Sequence, residues 1–219
     1  MIKKSKMLII SLILFAFGNV FASENNSQIW TDVSATFKLS DYWNTTISEE
    51  MRYIDDDLSY YHTDVGFSTK SFIDGTKVGL NYRLYRYRSD GGPWSRVQSP
   101  HINFTIYDDI FKLPISNRFR FQFIDNEEKE DLWVFRNKTT VKLDNIFTIS
   151  KFKPYISDEF FISLKGDAQI RRNRLSVGFT HKLSNNVDTK IFYLLQTSKS
   201  SKNRWSDTDV FGFSLKFKF

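Results

Sequence analysis

The sequence predicts an all-β protein, folded as an antiparallel up-and-down transmembrane β-barrel of about 10–12 strands. Three observations support this fold class. The chain ends on a segment with strict apolar alternation, and it combines 17% aromatic residues with a negative mean hydropathy of -0.39. Beyond residue 22 it contains no apolar run long enough for a spanning helix. Strands that alternate aromatic with polar residues account for all three observations.

The last segment, residues 207–219, carries the clearest pattern in the chain. Every second residue from Phe211 onward is large and apolar: Phe211, Phe213, Leu215, Phe217 and Phe219. This period of two places the apolar side chains on one face of a strand. The segment resembles the carboxy-terminal signal that the outer-membrane assembly machinery of Gram-negative bacteria recognises. We therefore expect that machinery to be a partner.

Residues 1–22 are predicted to be a secretory signal peptide. Lysines at positions 3, 4 and 6 precede an apolar core at residues 7–17, and the residues before position 23 suit cleavage after Ala22. This core is too short for a membrane anchor, which needs about 20 residues. Residues 23–219 then form a single exported domain, which we expect in the cell outer membrane.

Metal and thiol chemistry find no support in the composition. The chain has no Cys, which excludes disulfides, a thiol nucleophile and a thiolate metal site. The sequence also has no Asp, Glu or His cluster with metal-ligand spacing and no glycine-rich phosphate loop. We therefore expect no cofactor.

Turn-forming residues divide residues 28–219 into eleven candidate strands. The segments are 28–39, 43–53, 60–73, 76–88, 101–107, 115–124, 132–143, 155–164, 169–183, 187–196 and 207–219. Asp74 and Gly75 form a strong hairpin signal between two of them. Bacterial single-chain barrels have an even strand number, so we expect ten or twelve strands. Either a further strand is hidden in a loop, or two of the segments form one strand, or the segment at 28–39 does not belong to the wall. Breaks also suggest short periplasmic turns and longer external loops.

Alternation within the segments predicts an apolar outer face and a polar lumen. Phe119, Phe121 and Phe123, for example, alternate with Arg118 and Arg120. The charged side chains expected to face the lumen are Glu50, Arg52, His62, Asp64, Lys70, Arg83, His101, Arg118, Arg120, Arg136, Lys138, Lys142 and Glu159.

Two interpretations of this charged lumen remain open. Buried charges are tolerated when they pair, so the side chains could pair across the lumen and plug it, giving a structural barrel. Alternatively, the basic excess could line a narrow water-filled channel that favours small anions.

An enzyme is a further alternative. The barrel phospholipase and lipid A deacylase of outer membranes use a His and a Ser two residues apart on one strand. Here the residues two positions after His62, His101 and His181 are Asp64, Asn103 and Leu183. His62 and Asp64 could still act as a base and its orienting group. A structural pair is the favoured interpretation, so the protein is expected to be non-enzymatic.

Composition also bears on partners. Arg86, Arg88 and Arg96, with the basic stretch at 199–204, suit phosphate binding. Because an exported chain meets lipopolysaccharide and membrane lipid rather than nucleic acid, we expect the former as partners, and a monomer. A soluble periplasmic β-sandwich binding protein is the remaining alternative, and it predicts that the apolar faces are covered by a second sheet.

Four short motifs resemble an uncharacterised family of Gram-negative outer-membrane barrels, domain of unknown function 2490. They are Trp30, the Glu-Met-Arg-Tyr run at 50–53, Arg-Asn-Lys at 136–138, and Pro-Tyr-Ile-Ser-Asp-Glu-Phe-Phe at 154–161. The resemblance implies the barrel fold and the outer-membrane location. It implies no activity.

Overall fold

A computed structural model of the protein describes residues 27–70, 73–88, 91–127, 129–144, 151–166, 168–200 and 203–219. The predicted signal peptide, residues 1–22, lies outside these ranges. All regular structure within them is β-strand. No helix in the described ranges is long and apolar enough to cross a membrane.

Eleven strands form one closed barrel. They are β1 (Ser27–Lys38), β2 (Trp43–Ile54), β3 (Asp57–Lys70), β4 (Thr76–Tyr87), β5 (Ser95–Ile110), β6 (Leu113–Asn126), β7 (Lys129–Lys142), β8 (Phe152–Ser163), β9 (Gln169–Lys182), β10 (Val187–Lys199) and β11 (Trp205–Lys218). Consecutive strands pair antiparallel, which confirms the all-β, up-and-down barrel.

Eleven strands lie within the predicted range of about 10–12, but the expectation of an even number, ten or twelve, is wrong. Strand β1, which contains the doubtful segment at 28–39, belongs to the wall and pairs with both β2 and β11. Its pairing with β11 is parallel, from Ser27 opposite Asp209 to Thr36 opposite Lys218. In a meander with an odd number of strands the first and last run in the same direction. The barrel can therefore close only through one parallel pair.

The two ends of the barrel are named here by the chain. At the amino end β1 begins, and at the carboxy end β11 finishes. Two-residue turns occur at both, at 55–56 on the amino end and at 111–112 on the carboxy end, with positive φ at all four residues. Such φ angles give the tight hairpin that matches strand twist. The widest gap between strands, from Lys142 to Phe152, is at the carboxy end. The expected difference in loop length between the ends is therefore absent.

Several strands, most clearly β5, β6 and β10, are longer than the sequence segments because they continue into the expected loops. Strand β5 covers 95–110 instead of 101–107, and β3 begins at Asp57, inside the acidic break. Charged residues interrupt the apolar alternation at these strand ends, although the backbone pairing continues through them. Alternation therefore marks only the central part of each strand.

Every strand exposes at least one large apolar side chain on the outer face. For one representative from each strand, the relative exposure runs from 38% for Phe160 to 64% for Leu80. One from each strand, in chain order, is Ile29, Ile47, Phe67, Leu80, Ile102, Phe121, Trp133, Phe160, Leu175, Ile191 and Phe211. The apolar surface therefore extends around the whole circumference.

The parallel seam between β1 and β11 is fastened at its carboxy end by the last residue. The Phe219 backbone N–H donates to Thr36 O at 2.9 Å, and Lys38 N–H donates to Phe219 O at 3.0 Å. The Phe219 ring stacks on Phe37, with 5.1 Å between centroids. Facing the interior, Ser214 donates to Asp32 at 2.7 Å.

Candidate functional site

The barrel interior holds most of the charged residues that the sequence analysis assigned to it. Alternation and register turn Glu50, Arg52, His62, Asp64, Arg83, His101, Arg118, Arg120, Arg136, Lys138 and Glu159 inward. Of these, His62, Asp64, His101, Arg120, Arg136 and Glu159 are buried. Lys70 and Lys142 are exposed near the carboxy end of the barrel.

One buried carboxylate, Glu159 on β8, gathers cations from two other strands. Oε1 of Glu159 accepts from Arg136 at 2.8 Å and from Arg118 at 2.8 Å. Lys138 lies opposite Glu159 in the β7–β8 register. Because Arg118 is on β6 and Glu159 is on β8, this contact crosses the intervening strand. It ties three strands together over the interior face of the sheet.

A second network runs from β3 to β6 and begins at Asp64. Its carboxylate accepts from Arg83 Nε at 2.9 Å and from Asn81 Nδ2 at 2.8 Å. Asn103 donates to Asn81 at 2.8 Å, and Arg120 donates to Asn103 at 2.7 Å. Each amide donates to one neighbour and accepts from the next, so a single chain of hydrogen bonds covers four strands. Such satisfied polar networks fix side chains in one arrangement.

Guanidinium groups and aromatic rings alternate across the lumen. The ring of Trp30 lies 3.8 Å from the guanidinium carbon of Arg52 and 4.7 Å from that of Arg174. Arg52 also lies 4.1 Å from the Tyr60 ring, and Arg174 lies 4.7 Å from the Phe161 ring. We call the series Tyr60, Arg52, Trp30, Arg174, Phe161 the stacked ladder. Cation–π contacts strengthen when desolvated, and here they connect β1–β3 to β8 and β9.

Toward the carboxy end, Phe192 on β10 fills the interior between two glycines. Gly178 lies opposite it on β9 and Gly212 lies opposite it on β11. A Cβ on Gly212 would collide with the Phe192 ring, and one on Gly178 would come within 2.8 Å of Phe192 Cβ. The glycines therefore create the space that the ring occupies. Trp30, Leu194 and Val210 form a small buried apolar cluster against the same side chain.

The amino end of the barrel opens into a cavity of about 1040 Å³, which we call the vestibule. Nine arginine or lysine residues but only one carboxylate, Glu130, are among the described residues that line it. Its wall also contains Tyr60, Tyr85, Tyr87 and Phe161. Because Arg52, Tyr60, Arg174 and Phe161 belong both to the lining and to the stacked ladder, the ladder forms the floor of the vestibule.

Three irregularities in strand register surround this vestibule. In β3 the inserted residue is Ser59, and in β9 it is Arg171. In the β6–β7 pair, Asp125 lies opposite two residues, Glu130 and Asp131. All three lie at the amino end. Such bulges re-aim side chains and are frequent beside functional sites. The β9 bulge brings the consecutive residues Arg171 and Arg172 both to the vestibule lining.

The histidines are placed differently from the suggested catalytic pair. The histidine nearest the Asp64 carboxylate is His101, whose Nε2 lies 3.6 Å from Oδ2, whereas the hydrogen bonds to that carboxylate come from Arg83 and Asn81. His62 instead lies 3.1 Å from the Tyr60 hydroxyl and 3.9 Å from Glu50. Within the described ranges no group of His, Cys, Asp or Glu is arranged to hold a metal ion.

Several interior residues escaped the sequence analysis. Arg172 and Arg174 face the lumen, yet the segment at 169–183 was given no faces. The outward Leu175 and Phe179, both exposed, could have set that alternation. Phe161 is the ring between Arg136 and Arg174. Trp30 appeared only as a family motif residue.

These features define a class of protein: a closed, mainly antiparallel β-barrel with an apolar outer surface and a cation-rich interior. The particular family follows from sequence comparison. A family model described as a protein of unknown function, DUF2490, matches residues 27–207, and the chain belongs to this family. The resemblance drawn from the motifs is thereby confirmed. No curated protein matches the chain.

Proposed function

We propose that the protein is an integral outer-membrane β-barrel of a Gram-negative bacterium, with a lumen closed by its own side chains. One observation carries the membrane assignment: the distribution of side chains is inverted. Of the described residues, 15 polar or charged side chains are buried, against seven hydrophobic ones, and the large apolar side chains are exposed on all eleven strands. Soluble monomers rarely expose apolar patches of this extent, and transmembrane barrels do so by necessity.

The soluble sandwich alternative is less well supported. It requires a second sheet over the apolar faces, whereas the described strands all belong to one closed barrel. The carboxy-terminal segment favours an orientation. Its resemblance to the assembly signal supports a periplasmic carboxy end, and in the proposed orientation the amino end with its vestibule faces outward.

The interior supports closure instead of an open pore. The Asp64 and Glu159 networks and the stacked ladder all project into the lumen from different sectors of the wall. Their central members are buried, with Asp64 5% and Glu159 4% exposed. A wide aqueous channel would leave such side chains hydrated. We therefore propose a non-enzymatic barrel with a structural or binding role, in which neither His62 nor His101 belongs to the described vestibule lining.

A narrow anion-preferring channel is the second candidate. It is favoured by the excess of cations around the vestibule, since rings of Arg and Lys select anions. The two candidates differ in whether ions pass the stacked ladder.

Planar-bilayer recording of the refolded mature chain decides between them, after fractionation of expressing cells has tested the location. We expect the protein in the outer-membrane fraction, a heat-modifiable band on gels, and no steady conductance. Stable anion-selective openings would replace the closed barrel by the channel. Recovery from the soluble periplasmic fraction would refute the membrane assignment itself.

A further inference from the structure

From its lining, we infer that the vestibule is a binding site for a phosphorylated saccharide, a ligand that carries at least two phosphate groups on a sugar scaffold. The inference goes beyond the proposed location, because it depends on the geometry of the barrel and not on the membrane around it.

The charges that line the vestibule are unbalanced. Of the nine lining cations, Arg52, Arg83, Arg136 and Lys165 form ion pairs with carboxylates. Within the described part of the chain the other five form none: Lys129, Arg171, Arg172, Arg174 and Lys199. Of these five, Arg174 is buried, Arg171, Arg172 and Lys199 are half-buried, and Lys129 is exposed. Buried or half-buried cations without counter-charges repel one another and are retained where an anion completes the site. The vestibule therefore has the charge for a multivalent anion.

One buried donor in the vestibule lining lacks an acceptor among the described residues. Nε of Arg172 is shielded from solvent and has no hydrogen-bond partner among the described residues. Buried polar groups are nearly always satisfied, and each exception calls for a physical reason. A phosphate oxygen is the acceptor that guanidinium forks bind best, often through two parallel bonds. Arg172 and its neighbour Arg171 together offer such donors.

The sheet is irregular at the amino end of the barrel, where the vestibule lies. A regular β9 would direct Arg171 and Arg172 to opposite faces, whereas the inserted residue brings both to the vestibule lining. Two further irregularities, at Ser59 in β3 and in the β6–β7 pair, adjust the wall at the same end of the barrel. The rest of the barrel keeps its register without such shifts in the described strand pairs.

The vestibule also has a surface and a volume that suit the sugar scaffold of the ligand. Tyr60, Tyr85 and Tyr87 form a continuous aromatic wall, with ring centroids 5.4 Å apart for the first pair and 6.4 Å apart for the second. Aromatic rings pack on apolar faces while their hydroxyls hydrogen-bond, which suits a sugar ring. The volume of about 1040 Å³ is at the upper end of the range of about 300–1,000 Å³ for small-molecule sites. A disaccharide with its phosphates fits in this space.

Calorimetric titration of the folded mature chain in detergent at low salt tests the inference. The probe is glucose 1,6-bisphosphate, and inorganic phosphate and glucose are titrated separately. We expect saturable binding of the bisphosphate, at least about tenfold tighter than that of inorganic phosphate because two linked groups bind together. Glucose alone should give no saturable heat. Affinity for the bisphosphate should fall as salt is raised, since the site is open to solvent.

The matched variants remove two positive charges at opposite ends of the barrel. Arg171→Gln with Arg172→Gln should weaken bisphosphate binding by about tenfold or more. Lys151→Gln with Lys153→Gln, at the carboxy end, should leave it unchanged. If the arginine variant does not fold, Lys129→Gln with Lys199→Gln at the rim replaces it. Absence of saturable binding to the folded wild type, or an equal loss in both sets of variants, would overturn the assignment.

Competition separates two sources of the same chemistry. A deep-rough lipopolysaccharide with its core phosphates, added before the titration, should block bisphosphate binding if the natural ligand is a membrane glycolipid. The same preparation after phosphatase treatment should not block it. Binding that survives both additions assigns a free phosphorylated saccharide. Neither result depends on the bilayer recording, so the failure of the site and the failure of the closed lumen are distinguishable.

Discussion

The guanidinium carbon of Arg52 lies 3.8 Å from the centre of the Trp30 ring, and Arg174 lies 4.7 Å from the same ring. Arg52 is on the strand next to Trp30, whereas Arg174 is on β9, two strands beyond the parallel seam. A single tryptophan therefore joins two distant sectors of the wall across the lumen. Such contacts contribute about 0.5–2 kcal/mol each, and together they hold the floor of the vestibule.

Removing two of the three rings of the stacked ladder should open the lumen. In Trp30→Ala with Phe161→Ala, the guanidinium groups of Arg52, Arg136 and Arg174 lose the rings between them. Because like charges then face one another in water, we expect anion-selective conductance in planar bilayers where the wild type is silent. Trp43→Ala, which alters an outward ring with 51% exposure, is the control and should stay silent. A silent double variant that is still folded would mean that the charged networks alone close the lumen.

Glu159 is the residue whose neutralisation should be most costly. Glu159→Gln leaves Arg118 and Arg136 without their shared carboxylate in the interior. Removal of one partner of a buried ion pair typically costs about 3–5 kcal/mol. Urea unfolding, followed by loss of the heat-modifiable band, should show a destabilisation of this size. Glu130→Gln is the control, because its carboxylate is 81% exposed, and exposed pairs contribute about 0–1 kcal/mol. Equal stability of the two variants would contradict the network.

A charge on the outer face tests the membrane assignment. Phe121→Arg places a cation near the middle of β6, where transfer to the bilayer midplane costs about 2–4 kcal/mol. Phe111→Arg adds the same charge in the 111–112 turn, at the barrel end, where the cost falls to about 0–1 kcal/mol. Folding yield into lipid vesicles should fall for the first variant only. Comparable yields for both would argue that this face of β6 does not meet lipid.

The last residue should matter for assembly through its backbone as well as its ring. Deletion of Phe219 removes both seam hydrogen bonds, to Thr36 and from Lys38, and the stack on Phe37. Phe219→Ala keeps the two backbone bonds, each of which contributes about 0.5–1.5 kcal/mol. We expect outer-membrane levels in cells to fall more for the deletion than for the substitution. Wild-type levels of the deletion variant would show that the seam contacts of Phe219 are not needed for assembly.

Glycine substitutions probe the packing around Phe192. In Gly178→Ala the new Cβ would collide with the Ile191 carbonyl oxygen and lie 2.9 Å from Phe192 Cα, both backbone atoms. Overpacking of this kind costs about 1–3 kcal/mol. Gly79→Ala is the control, since its Cβ would meet its nearest neighbour at 3.4 Å. Urea unfolding should separate the two, and a neutral Gly178→Ala would show that β10 can move away.

The faces of the strands could be predicted from the sequence because a period of two needs no tertiary information. Phe121 outward and Arg120 inward follow from alternation alone, and the structure has both. The eleven segments also correspond one by one to the eleven strands. The wrong expectation came from adding a family-independent rule about even strand numbers to a correct count.

The contacts that close the lumen could not be predicted in the same way. Trp30 and Arg174 are 144 positions apart in the chain, and only the closure of the barrel brings them together. The bulge at Arg171 depends on how β8 and β9 pair at the amino end of the barrel. No residue in these paired segments is a glycine or proline that would signal it. Local pattern determines which way a side chain points, and the curvature of the whole wall determines what it meets.

An odd number of strands has a topological consequence. Because β1 and β11 run in the same direction, the polypeptide enters the barrel at one rim and leaves it at the other. With the barrel in a membrane as proposed, peptide labels placed ahead of Ser27 and after Phe219 would therefore report from opposite compartments, whereas in an even-stranded barrel both would report from the same one. The removal of a hairpin preserves this polarity, and the removal of a single terminal strand abolishes it.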